Sequence, residues 1–408
     1  MSVFACSGAE LGKLFSQVAA VLKRYQRYWQ LQPMARSALP FVAALNSLLQ
    51  SLSLTELAAL EDNPEQQQQL FGGFFPELFA LPATSQAEPA EALPEWPFWL
   101  TNGIGGRKLA QIQHFCQQLA PSELPLLEWC AGKGHLGRLL AAQGRQVTSI
   151  EWQAELCRQG EALAAQFQLP QRFVCADVLT PAGRAVLSPQ QQLVALHACG
   201  DLHLQLIKHA VAVGTHALQL APCCYHLIAA EHYQPLSTLA QQHNLQLSRQ
   251  DLKLAVQAQV TGGERVARLR QTEVSWRLAY QLLRTELTAD ARYQPLPSLP
   301  KHWFSGDFSA FLAYAAQLQQ LLLPAVIDNN ALLARADEAY LQLQRIDAVR
   351  HLFRRPLELY LVLDRALYLQ QQGYQVQLSV FCAYQITPRN FLIRAWRDTS
   401  ALADRCSL

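Results

Sequence analysis

The stretch LLEWCAGKGHLGRLL, residues 126–140, sets a short apolar run, a glycine-rich turn and a helical pattern end to end. Leu126 to Trp129 read as a buried strand, broken only by Glu128. Leu136, Leu139 and Leu140 then recur at the spacing of one helix face. Strand, glycine turn and helix in that order open a βαβ unit, and the glycines let the backbone approach a ligand at a helix N-terminus.

Working outward, the alternation continues. VTSIEW, RFVCADV, LVALHAC and ALQLAPC read as strands, with the helical segments LGRLLAAQG, AELCRQGEALAAQF and LQLIKHAVAV among them. Alternating strand and helix predicts a parallel, doubly wound sheet. After about residue 250 helical periodicity takes over, as in VARLRQTEVSWRLAYQLL, where Val266, Leu269, Trp276, Tyr280 and Leu283 share a face. YQVQLSVFCAY and FLIRAWR, separated by QITPRN, then read as a hairpin that rejoins the sheet, with Pro388 and Asn390 in a reversal.

The expected organisation is a helical N-terminal region and linker over 1–95, a core over 96–249, a helical insertion over 250–372, the closing hairpin over 373–398 and a tail over 399–408. In the first region Phe15, Val18, Leu22, Tyr25 and Trp29 recur three and four residues apart, one face of a helix. The fold class expected is α/β, a Rossmann-like seven-stranded sheet.

Half of the 408 residues are hydrophobic, enough for a large core. A net charge of +2 with 16% charged residues excludes a protein held mainly by nucleic-acid phosphates, so any RNA contact must come from local patches. The ten cysteines show no disulfide-framework spacing and read as reduced thiols of a cytoplasmic protein. No export signal precedes the first helix, and no eighteen apolar residues run together, so no membrane partner is expected.

Gly132, Gly134 and Gly137 match the G-x-G-x-x-G dinucleotide fingerprint, with Glu151 nineteen residues after Gly132 where a ribose-binding acid belongs. An NAD-dependent oxidoreductase is therefore the rival reading. Three features favour S-adenosylmethionine. Glu128 stands before the turn, where an acid suits the amino group of methionine and gains nothing from a pyrophosphate. Asp177 follows the third strand, suited to the adenine amino group. The closing hairpin is the third feature. Taken singly, the glycines serve a tight turn and Glu151 a helix cap.

In an open parallel sheet ligands bind beyond the carboxyl ends of the strands. HACGDLH closes the fourth strand and APCCYH the fifth, so His197, Cys199, Asp201, His203, Cys223, Cys224, Tyr225 and His226 are expected together there. Asp201, Tyr225 or His226 would orient or deprotonate an acceptor. Pro222 is expected to end the fifth strand, with Tyr225 and His226 flanking the acceptor. A cysteine nucleophile, a zinc site and plain packing remain open, but no paired C-x-x-C or H-x-x-x-H spacing is present, and no metal is assigned.

Together LLEWCAGKGHLGRLL, LHACGDL, APCCYH and TPRNF resemble the methyltransferase-domain family that includes the glutathione-S-transferase C-terminal-domain-containing protein and methyltransferase-like proteins. More distantly the chain is similar to tRNA 2′-O-methyltransferases. The resemblance covers about 100–245 and 374–398. It implies cofactor roles for Glu128, Gly132, Gly134, Glu151 and Asp177, extends to His197 through the fourth-strand signature, and implies RNA, either tRNA or rRNA, as acceptor. Cys130 departs from it, standing where most methyltransferases have the first glycine of the turn. A protein or small-molecule acceptor, and a scaffold that binds cofactor without catalysis, are the alternatives.

Overall fold

A computed structural model describes residues 4–36, 38–61, 63–84, 93–257 and 264–397. The expected tail, 399–408, and part of the expected linker, 85–92, lie outside the described residues.

Eight strands form one sheet: β1 (Ala5–Ser7), β2 (Leu126–Trp129), β3 (Val147–Glu151), β4 (Gln171–Cys175), β5 (Gln192–Cys199), β6 (Ala217–Cys223), β7 (Gln375–Val380) and β8 (Phe391–Trp396). Their order is β1-β7-β8-β6-β5-β2-β3-β4. The five strands β2 to β6 pair in parallel, while β8 runs antiparallel between β6 and β7. The count of seven is corrected to eight by β1, which pairs antiparallel with β7 at the edge. Three residues are too few to show the period-2 alternation by which a strand is recognised.

All four residues of β2 are buried, Glu128 among them. On one face of the sheet Ile112 and Phe115 of the helix Gly106–Gln117 pack with Leu136, Leu139 and Leu140 of the helix His135–Ala141. Each such side chain contributes about 1.5–3 kcal/mol by leaving water. This packing anchors the turn between β2 and its helix.

The chain divides into two compact units, one of residues 1–24, 80–258 and 354–408 that holds the sheet, the other of 25–79 and 259–353. The helix Arg354–Gln371, read from the sequence with the insertion, belongs to the sheet unit, because thirteen of its residues are buried, Glu358, Asp364 and Arg365 among them. Phe15, Val18 and Leu22 are buried in the sheet unit, and Tyr25 and Trp29 in the helical unit. In the helical unit Tyr280 and Leu283 join Phe304 and Phe311 in a core. Val266, expected on the same face, is 42% exposed, because it stands in the first turn of its helix, ahead of the packed stretch.

The two closing strands are joined by ten residues rather than a tight turn. Asn390 donates to the Cys382 carbonyl at 2.7 Å, and the Phe381 amide donates to the Asn390 carbonyl at 3.0 Å. All nine described cysteines are free, and no described helix is long and apolar enough to cross a membrane.

Candidate cofactor and acceptor site

Beyond β2 the backbone takes a left-handed path, with φ of +57° at Cys130, +60° at Gly132 and +64° at Gly134. Cys130 therefore holds the conformation that glycine ordinarily supplies, and the departure noted in the sequence leaves the turn intact. A β-carbon added at Gly132 would meet nothing within 4 Å, so its backbone faces open space. At Gly134 it would strike Phe173 and Gln171, which makes this glycine a packing requirement beneath the turn.

Glu151 ends β3 and is buried. Its Oε2 accepts from the Gly132 amide at 2.9 Å and its Oε1 from the Gln153 amide at 3.0 Å. Asp177 lies two residues past β4, exposed, where it accepts from the Leu179 amide at 2.9 Å.

Glu128 is the next-to-last residue of β2. Its carboxylate is buried under the helix N-terminus, where Oε2 accepts from Ser149 at 2.7 Å and the Leu136 and Gly137 amides also donate to it. Gln171 completes the chain, donating to Ser149 at 2.9 Å and to the Gly134 carbonyl at 3.1 Å. Glu128 thus ties the turn to β3 and β4. Burial pushes its pKa up to about 7 against the pull of these donors and of Lys108. Sequence reading missed Ser149 and Gln171. No local signal singled them out, since β3 also carries Thr148 and Glu151 and β4 opens on Gln171 and Arg172.

β5 lies between β2 and β6, so the carboxyl ends of all three strands are neighbours. The register of β5 on β6 shifts between Leu196 and Ala198, leaving His197 as the extra residue of a bulge at φ +65°. Its Nε2 donates to Gln111 Oε1 at 3.1 Å, and burial lowers its pKa to about 4, so the imidazole is neutral. Cys224 follows β6 at φ +47°. Cys130, His197 and Cys224 are thus three non-glycine residues in left-handed conformation, one just past β2, one among the last three residues of β5 and one just past β6. Such residues cost on the order of 1–3 kcal/mol each and cluster at functional sites.

The HACGD and PCCYH signatures are stitched to each other. The Gly200 amide donates to the Cys223 carbonyl at 3.1 Å and the Asp201 amide to Leu227 at 3.0 Å. Asp201 Oδ2 accepts from the Ala229 amide at 2.7 Å. A β-carbon on Gly200 would collide with the Leu227 carbonyl. Asp201 is therefore engaged in holding the loop after β6.

Pro222 does not end its strand. It pairs with Ala198, and β6 runs on to Cys223. Tyr225 turns inward instead of flanking an acceptor, because its hydroxyl donates to Glu358 at 3.3 Å and Arg365 lies over its ring at 5.1 Å. Arg365 also donates to His203 Nε2 at 2.8 Å, while His203 Nδ1 donates to the Ala198 carbonyl at 3.0 Å. Burial first, then Arg365, keep His203 neutral, so it too belongs to the core. His226 remains half-buried, with burial lowering its pKa and Lys253 and Arg389 adding to that. The Sγ atoms of Cys199, Cys223 and Cys224 lie within 4.8 Å of one another. An open cleft lined by Gln192, His216, Gln219 and Arg394 occupies the opposite, amino ends of β5 and β6.

Residues 107–231 match the family model described as a methyltransferase domain. The matched stretch is under half of the 408-residue chain. It spans the turn, Glu151, Asp177 and both strand-end signatures. No curated protein matches the chain. Among solved structures, WbdD is similar to this chain at 20% identity over 35% of it and 30% of that chain, with a TM-score of 0.24. The methyltransferase CcbJ from Streptomyces caelestis is 19% identical over 34% and 58%, with a TM-score of 0.23. The glycopeptide N-methyltransferase MtfA, solved with S-adenosyl-L-methionine, is 16% identical over 32% and 61%, with a TM-score of 0.23. The chain spans less than two thirds of the length of each.

Proposed function

We propose that the protein is an S-adenosylmethionine-dependent methyltransferase of the Rossmann-like class I type. The observation that carries this reading is the left-handed Cys130–Gly134 turn, whose open Gly132 backbone is joined to the Glu151 carboxylate. The seven strands β2 to β8 support the class, five in parallel and then a pair in which the last runs reversed. Gly132 and Glu151 would hold the cofactor's ribose and amino-acid portions, with Asp177 toward its adenine. S-adenosylmethionine supplies the methyl group as an electrophilic carbon on sulfonium sulfur. The surrounding residues orient the acceptor and keep water out.

The acceptor we propose is RNA. Supporting it is a set of cations around the strand ends: Lys108 near Glu128 and His197, and Lys253 and Arg389 near His226. Arg265, Arg268 and Arg270, the other candidates, are exposed on the helix Glu264–Thr288 of the helical unit. Calorimetry with S-adenosylhomocysteine and with NADH tests the cofactor: binding of the first alone is expected, and binding of NADH alone overturns the reading. For the acceptor, Lys253→Glu should weaken RNA binding and flatten its salt dependence. Equal binding by both proteins across a salt titration would point to a protein or small-molecule acceptor.

A further inference from the structure

The three sulfurs at the ends of β5 and β6 are brought together by two features that cysteine spacing does not reveal. Cys199 and Cys223 are register partners on adjacent parallel strands, so their side chains share a face, and their Sγ atoms lie 3.4 Å apart. Cys223 and Cys224 are sequence neighbours, and in a regular strand neighbours point to opposite faces. The left-handed conformation of Cys224 breaks that alternation and returns its sulfur to the other two.

We propose that Cys199, Cys223 and Cys224 bind one zinc ion, with His226 Nδ1 as the fourth ligand. Zinc takes thiolate and imidazole ligands in a tetrahedron, and Zn–S bonds of about 2.3 Å require sulfurs about 3.8 Å apart. The three sulfurs, all within 4.8 Å, meet that requirement with shifts of a few tenths of an ångström to an ångström. His226 lies two residues beyond Cys224 in the same loop, and its Nδ1 is a buried atom with no hydrogen-bond partner. A buried ring nitrogen left unpaired in the same loop as the thiols is a donor that a metal would engage. On binding, the thiol protons leave to solvent and three S–Zn bonds and one N–Zn bond form, with no change of oxidation state. Three thiolates and one zinc ion leave the centre with one net negative charge. A closed set of four protein ligands assigns the ion a structural task, clamping the bulged end of β5 to the loop after β6.

The test uses the full-length protein, purified reduced, stripped with a chelator and titrated with cobalt(II), with zinc content read in parallel by native mass spectrometry. One zinc per chain and one equivalent of cobalt with tetrahedral thiolate absorption are expected. The absorption should vanish in Cys223→Ser and Cys224→Ser and persist in Cys175→Ser, a free cysteine outside the cluster. His226→Ala should shift the visible bands while keeping the thiolate charge-transfer absorption; an unshifted spectrum removes His226 from the set. Absence of both zinc and a cobalt spectrum in the reduced wild-type chain overturns the proposal, and that reading does not depend on any variant folding. S-adenosylhomocysteine binding, measured on stripped and reloaded protein, reports separately on the cofactor site.

Discussion

The Glu151 carboxylate, at the end of β3, accepts a hydrogen bond at 2.9 Å from the Gly132 amide in the turn after β2. One side chain thus joins the two strand ends between which the cofactor is proposed to sit. Glu151→Ala should weaken S-adenosylhomocysteine binding by about 1–3 kcal/mol, the range for a lost hydrogen bond to a charged group, or roughly 5- to 150-fold in Kd. Calorimetry on a folded variant with unchanged affinity would remove Glu151 from the site.

Gly132 and Gly137 separate binding from stability. A β-carbon at Gly137 would come within 2.5 Å of Glu128 Oε2, 2.7 Å of Gln171 and 2.8 Å of Ser149. Gly137→Ala should therefore lose about 1–3 kcal/mol in urea denaturation, as overpacking does. Gly132→Ala meets no atoms but sits at φ +60°, so it should lose only about 1 kcal/mol to backbone strain, less than Gly137→Ala, while weakening cofactor binding. The reverse ranking would contradict the packing described.

Cys130 sits at φ +57°. A left-handed conformation costs a residue with a β-carbon about 1–2 kcal/mol, and glycine gives back about 0.5–1 kcal/mol in unfolded-state entropy. Cys130→Gly should then be neutral to about 1 kcal/mol more stable, and should keep cofactor binding. Cys130→Val should be clearly destabilised, since branching at Cβ worsens the clash. A destabilised glycine variant would mean that the thiol contributes more than the backbone strain removes.

Glu128 predicts a pH effect. Its folded pKa is raised from 4.5 to about 7, so between those values the folded state binds more protons than the unfolded state. Stability contributed by the protonated carboxyl is present below about pH 4.5 and is lost as pH rises through about 7, a swing on the order of 3 kcal/mol. Glu128→Gln should flatten this slope. Parallel denaturation curves for the two proteins across pH 5 to 7 would refute the shift.

Tyr225→Phe removes a buried hydroxyl that donates to Glu358, while Arg355 still holds Glu358 at 2.8 Å. A loss of about 1 kcal/mol in stability is expected, with methyl transfer retained. A folded variant that binds cofactor but transfers no methyl would restore Tyr225 to the acceptor site.

The sequence alone determined the order of strands β2 to β6, the helix after the turn, the two closing strands, and the positions of Glu151, Gly132 and Asp177 at strand ends. These follow from local periodicity and turn chemistry, which neighbouring residues carry between them. The hydrogen-bond partners of Glu128, Asp201 and Tyr225 came only from tertiary structure, because each lies far off in sequence: Ser149, the Ala229 amide and Glu358. The same holds for the sulfur cluster. Cys199 meets Cys223 across a strand pair, and Cys224 joins them only because its backbone turns left-handed. Residue spacing along the chain records neither a register nor a local strain, since both are set when the strands pack.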